Sequence, residues 1–159
     1  MSEVNRDLWR GLAEGVLLPE YDVLVPWGIS ESGFRRLLPA SAVTISEIGL
    51  WPQVNFTLFG FRALFGFNFV SDSNGLLAEV QFRNTHPRKL KRSFRRCVSL
   101  LTPRLGRPNV VDLSWGQQYW RYSGLAVENV LSRSLRGHGQ KPVSYHMLSV
   151  RAPDVEHSS

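Results

Sequence analysis

QVNFTLFGFRALFGFNFVSDSNGLLAEVQF, from Gln53 to Phe82, decides the fold, and six of the nine phenylalanines fall in it before Ser71. Strand side chains alternate between the two faces of a sheet. In Leu64 to Val70 that places Phe65, Phe67 and Phe69 on one face and Leu64, Gly66, Asn68 and Val70 on the other. Ser71 to Gly75 follows and closes in Asn-Gly, which supplies the left-handed conformations of a tight hairpin. Beyond it, Leu76, Ala78, Val80 and Phe82 share a face, opposite Leu77, Glu79, Gln81 and Arg83. Upstream, Val54, Phe56 and Leu58 alternate with Asn55, Thr57 and Phe59, and Gly60 marks a bend. A helix over these residues would spread phenylalanine around its circumference and would have to carry two glycines. The stretch therefore reads as the central strands of an antiparallel sheet.

Working outward, Asn5 to Leu17 has the helical spacing of Leu8, Leu12 and Val16, weakened by Gly11 and Gly15. Tyr21 to Val25 is a short apolar run ended by Pro26 and Gly28. Ser30 is placed to cap a helix running to Leu38, with Glu31 in its first turn and Phe34, Leu37 and Leu38 inward. Ala42 to Trp51 and Asn109 to Leu113 read as strands. Gln118 to Leu131 reads as strands broken near Gly124, Ser132 to Pro142 as a polar glycine-bearing loop, and Val143 to Val150 as a last strand. In that last strand Val143, Tyr145, Met147 and Ser149 face one way and His146, Leu148 and Val150 the other.

Charge is unevenly placed. The formal net charge is +6, yet the residues before Arg83 hold five basic and nine acidic side chains. Arg83 to Arg107 holds nine basic residues and no acid. Within it Leu90, Phe94, Cys97/Val98, Leu101 and Leu105 make an apolar helical stripe. Arg88, Lys89, Lys91, Arg92, Arg95 and Arg96 occupy much of the remaining surface. Thr85 is placed to cap this helix with Pro87 in the first turn, and Pro103 predicts an end or a kink near Thr102. Strands follow one another rather than alternating with helices. The predicted class is α+β: an antiparallel sheet with a long basic amphipathic helix and shorter N-terminal helices packed on it. Residues 1–159 read as one domain and 151–159 as a frayed tail.

Motifs for chemistry are sparse. A single cysteine, Cys97, excludes an internal disulfide framework and reads as a buried structural thiol. His86, His138, His146 and His157 lack metal-ligand spacing, so neither a metal nor a cofactor is expected. Arg136-Gly137-His138-Gly139-Gln140-Lys141 has phosphate-loop composition without the strand–loop–helix context, and reads as a surface loop. Asp112 and Glu128 are the carboxylates to weigh for acid–base work. Trp27, Trp51, Trp115 and Trp120 are either an aromatic cage or scattered packing. No apolar run approaches a membrane span, and the first residues are unlike a signal peptide, so a cytoplasmic, non-enzymatic protein without a membrane partner is expected.

Four pieces carry a family resemblance: VPWGISESGFRRLLP (Val25 to Pro39), FNFVSDSNGLLAEVQF (Phe67 to Phe82), LTPRLGRP (Leu101 to Pro108) and WRYSGLAVENVLSR (Trp120 to Arg133). Their layout resembles small bacterial α+β immunity proteins of type VI or contact-dependent toxin-secretion systems. Envelope-assembly lipoproteins share parts of the layout, but this chain lacks a lipoprotein signal and its acylated cysteine. The resemblance implies an inhibitor that binds one cognate protein toxin and occludes its active site or substrate cleft. Charge points to the contact residues: Arg88, Lys89, Lys91, Arg92, Arg95 and Arg96 on the helix, with Arg133, Arg136 and Lys141 in the later loop, facing an acidic partner surface. A nucleic-acid-binding module using residues 83–107 is the alternative. A ligand cleft on the sheet is a third, resting on aromatic richness alone.

Overall fold

The computed structural model describes residues 3–45, 51–70, 75–112, 116–134 and 143–153. Ten strands and three α-helices follow in chain order among them. Helix α1 (Glu3–Glu14) leads into β1 (Gly15–Leu18) and β2 (Val23–Pro26), which form a small antiparallel hairpin of their own. Helix α2 (Glu31–Leu37) comes next, then β3 (Val43–Ile45), β4 (Pro52–Leu58), β5 (Phe61–Val70) and β6 (Leu76–Asn84). Helix α3 (Leu90–Leu105) leads to β7 (Val110–Asp112), β8 (Gln117–Tyr122), β9 (Leu125–Ser134) and β10 (Val143–Arg151). The main sheet has eight strands in the order β3-β4-β5-β6-β10-β9-β8-β7, every pair antiparallel. It is thus two meanders, β3 to β6 and β7 to β10, connected through α3 and sealed along β6–β10. Among the described residues, no helix is long and apolar enough to cross a membrane.

The α+β class with an antiparallel sheet follows from the alternation. Val54, Phe56, Phe65, Phe67 and Val80 are fully buried on one face of β4, β5 and β6. Their rings interlock, with Phe56–Phe65 centroids 4.7 Å apart and Phe61–Phe82 5.0 Å apart edge to face. Phe34 of α2 joins this ladder 4.6 Å from Phe67. Ser30 caps α2 as its position predicts, accepting from the Gly33 N–H at 3.1 Å. Phe59 and Gly60 make the β4–β5 turn with φ of 54° and 77°, and Ser123 and Gly124 make the β8–β9 turn with φ of 48° and 83°. Two successive positive φ values are what a two-residue hairpin needs to match strand twist.

Several expectations are corrected. The first helix stops at Glu14, because Gly15 starts β1 and lies so close to β2 that a Cβ would meet the Val25 carbonyl oxygen at 2.2 Å. A bulge between Asn68 and Phe69 pairs Phe69 with Leu77. Leu77 therefore shares the core face with Val80, while Leu76 is exposed. Leu37 is exposed rather than inward. The basic helix starts at Leu90 without Thr85 as its cap, and passes through Pro103 to end at Gly106. Ser132 to Ser134 belong to β9 rather than to a loop, and Arg151 belongs to β10, beyond which the Ala152 N–H bonds the Ala78 carbonyl. The connection 135–142 and the tail 154–159 lie outside the described residues.

Candidate functional site

Helix α3 packs on β9 and β10. Leu90, Phe94, Cys97, Leu101 and Leu105 are buried beneath it, at the i, i+4, i+7, i+11, i+15 spacing of one stripe. Cys97 is fully buried, and burial pushes its thiol up to about 12 against the pull of Arg96, so it is held as a neutral thiol. The helix is fastened by polar contacts as well. Ser93 Oγ lies 2.6 Å from His146 Nδ1, and His146 Nε2 lies 2.7 Å from Asn129 Oδ1. Asn129 Nδ2 donates to Gln118 Oε1 at 3.2 Å, and Gln118 Nε2 donates to Thr102 Oγ1 at 3.3 Å. With the Asn129 amide donating elsewhere, its oxygen accepts from the His146 Nε2–H, and His146 Nδ1 accepts from the Ser93 hydroxyl. Burial pushes His146 down to about 4, so the ring is neutral at pH 7.

The six cations lie at the opposite, solvent side of this element. Arg88, Lys89, Lys91, Arg92, Arg95 and Arg96 are all exposed. Arg88 and Lys89 sit in the turn before the helix, and Lys89 at the N-cap position makes no side-chain capping bond. The first turn carries no acid. A helix N-terminus is its positive end, so these cations oppose the helix dipole as well as one another. Among the described residues the acids of the N-terminal part that form ion pairs form them elsewhere. Asp7 pairs with Arg10, Glu31 with Arg35 and Glu20 with Arg62. Among the described residues no carboxylate forms an ion pair with any of the six.

The helix divides the six into two rows, at about 100° per residue. Arg88, Lys91 and Arg95 line a groove of about 1110 Å³, together with Leu90, Phe94 and Val98 of the same wall. Gly116, Gln117, Val130, Leu131, Ser132 and Ser144 form its other side. Lys89, Arg92 and Arg96 lie outside it, and Arg96 reaches over the Phe61 ring at 5.9 Å on the opposite flank. The spacing of the cations was legible in the sequence. Their division was not, because it depends on how far β9 runs beyond the start of β8. Of the later basic residues, Arg133 is on β9, whereas Arg136 and Lys141 lie outside the described residues.

The remaining candidates resolve separately. Trp27 and Trp120 spend their indole N–H groups on the Leu12 and Gly106 carbonyls at 2.6 Å and 2.9 Å, and Trp51 packs over Gly66. These three are therefore used in packing at separate places, and Trp115 lies outside the described residues. On the helix-free face of the sheet Glu128 ion-pairs with Arg151. Burial raises the neighbouring Glu79 carboxyl, against the lowering influence of Asn68 and Arg151. The Ser149 hydroxyl between these strands is buried without a partner. His86 is exposed, and His138 and His157 lie outside the described residues. Among the described residues no group of three or more His, Cys, Asp or Glu gathers as metal ligands.

The fold and site define an α+β protein with a cation-lined groove beside one amphipathic helix. A scan against protein-family models matched none, and searches of curated proteins and of solved structures returned no match.

Proposed function

We propose that this chain is a binding protein that grips an acidic protein surface with α3, in the manner of an immunity protein covering a bacterial toxin. The observation that supports it most is the cationic surface at the start of α3. Six exposed cations crowd the positive end of a helix that has no acid in its first turn and no capping side chain. Such an arrangement costs stability in the free protein, by about 0.3–1 kcal/mol for each unfavourable charge near the terminus. An acidic partner would offset that cost on binding and would be steered in by it. The rigid base supplied by the sheet suits occlusion of a partner's cleft. Arg133, Arg136 and Lys141, on and beside the β9–β10 connection, extend the contact set in this reading, and the cytoplasm is its place of action.

Nucleic acid would answer the same charge. It is the second reading because single strands are held by exposed aromatic rings between the cations. Phe94, the only aromatic residue lining the groove among the described residues, is instead buried, with its ring edge-on to His146 at 5.9 Å. The test is affinity capture of the tagged chain from its native host, with and without nuclease treatment. The expected result is one acidic protein that elutes as salt is raised and whose activity the chain suppresses. Recovery of nucleic acid alone, or of no protein partner, would sink the reading.

A further inference from the structure

We infer that the groove between α3 and β9 is the seat for one segment of the partner, an acidic stretch whose carboxylates alternate with apolar side chains. The inference rests on the protein-partner reading above and deepens it. Three observations carry it. First, the two rows of cations differ in setting. Arg88, Lys91 and Arg95 stand along a concave wall, whereas Lys89, Arg92 and Arg96 stand outside it. A carboxylate entering the groove meets three cations along one wall, whose attractions add.

Second, the groove is lined by apolar residues as well as by cations. Val98 of α3 and Leu131 of β9, both half-buried, offer its apolar surface, with Leu90 and Phe94 almost covered beside them. An inorganic anion or a bare polyanion has no use for this surface. A peptide that mixes Glu or Asp with Leu, Ile or Val uses both at once. Third, the size fits a polymer segment. About 1110 Å³ exceeds the roughly 300–1,000 Å³ of typical small-molecule pockets. Ser132 and Ser144 on the sheet side add hydroxyls that can bond to a peptide backbone.

The test uses the full chain and three fluorescein-labelled probes: a decapeptide alternating Glu with Leu, a decaglutamate, and a ten-nucleotide oligothymidylate. Anisotropy titrations are run on the wild type, on Lys91→Glu/Arg95→Glu and on Arg92→Glu/Arg96→Glu. The two double variants change net charge equally, and circular dichroism establishes that both are folded. The wild type binds the alternating peptide more tightly than the decaglutamate and the oligonucleotide. The groove variant loses about tenfold or more of that affinity, and the outer variant less than about threefold. Equal losses in the two variants overturn the groove assignment, as does a wild type that fails to bind the alternating peptide. Tighter binding of the oligonucleotide overturns it as well. Repeating the capture from the native host with the same variants separates the two readings. A partner retained by the groove variant overturns the groove while leaving an acidic protein partner standing. A wild type that captures no protein ends both.

Discussion

His146 has no exposed surface, yet it is the residue whose chemistry reaches furthest through the molecule. It joins Ser93 on α3 to Asn129 on β9, and through Gln118 the chain of bonds returns to the helix at Thr102. Burial keeps the ring neutral, and with its Nε2 donating to Asn129 its Nδ1 accepts from Ser93. The proton balance then sets a pH dependence. The unfolded chain takes up a proton near pH 6.5, while the folded state resists it until about pH 4. Between those values the unfolded state binds more protons, so stability falls as pH falls. The loss should approach roughly 3 kcal/mol at pH 4 and be absent above pH 7.5. Urea titrations of the wild type and of His146→Gln across this range measure it. The variant starts less stable, and its pH curve is flatter by about that amount. Glu79, raised by burial, contributes in the opposite direction near its own range, and the difference between the two proteins removes it. Equal slopes would show that the proton on His146 is not the source. A sequence reading had no route to this network. Alternation puts His146 on the same face as Leu148 and Val150, but its partners come from α3 and β9, from residues 53 and 17 positions away.

At the level of elements, α3 is built against its own electrostatics. Arg92 is the third residue of the helix, where an acid is favoured by the dipole and by the N-terminal amides. Arg88, Arg95 and Arg96, three or four residues away, add repulsion. Arg92→Glu should therefore stabilise the free protein by about 0.5–1 kcal/mol, through relief of repulsion and a new i,i+4 attraction to Arg96. Thermal melting at low salt and at high salt reads it, and the gain should shrink as salt rises. A destabilised variant would mean that Arg92 already holds a favourable contact. The stripe and the cations of α3 were legible because helical periodicity is local. Other elements were legible only in part, for physical reasons that can be named. The spacing of Leu8, Leu12 and Val16 continues the helical period past Glu14, but pairing with β2 takes Gly15 to Leu18 into a hairpin instead. In β6, strict alternation put Leu76 inward, whereas the bulge opposite Asn68 and Phe69 exchanges it for Leu77.

For the whole molecule, the question is whether the two meanders behave as one. They meet only where β6 pairs with β10, through Val80 opposite Val150 and Phe82 opposite Leu148. These pairs lie on the buried face, where Val80, Leu148 and Val150 are fully covered. They share one hydrophobic cluster with Phe65 and Phe67 of the first meander and with Trp120, Leu125 and Val127 of the second. Helix α1 adds a second tie, since it packs on α3 and its Trp9 indole N–H reaches the Leu105 carbonyl at 3.4 Å. A core continuous across the seam makes partial unfolding expensive, because opening β6–β10 exposes apolar surface on both sides at once. The chain should therefore unfold in one transition. Leu148→Ala, which leaves a cavity in that shared core, should cost about 2–5 kcal/mol. Against a total of roughly 5–15 kcal/mol, that moves the midpoint far. Far-ultraviolet circular dichroism and tryptophan fluorescence, followed together in urea, provide the check. Trp51 lies beside the first meander and Trp120 within the second, so fluorescence samples both. Coincident curves that shift together in Leu148→Ala are expected. A fluorescence change that splits into two steps, with only one moved by the substitution, would mean that each meander holds itself up and that the groove beside β9 sits on an independently folding half.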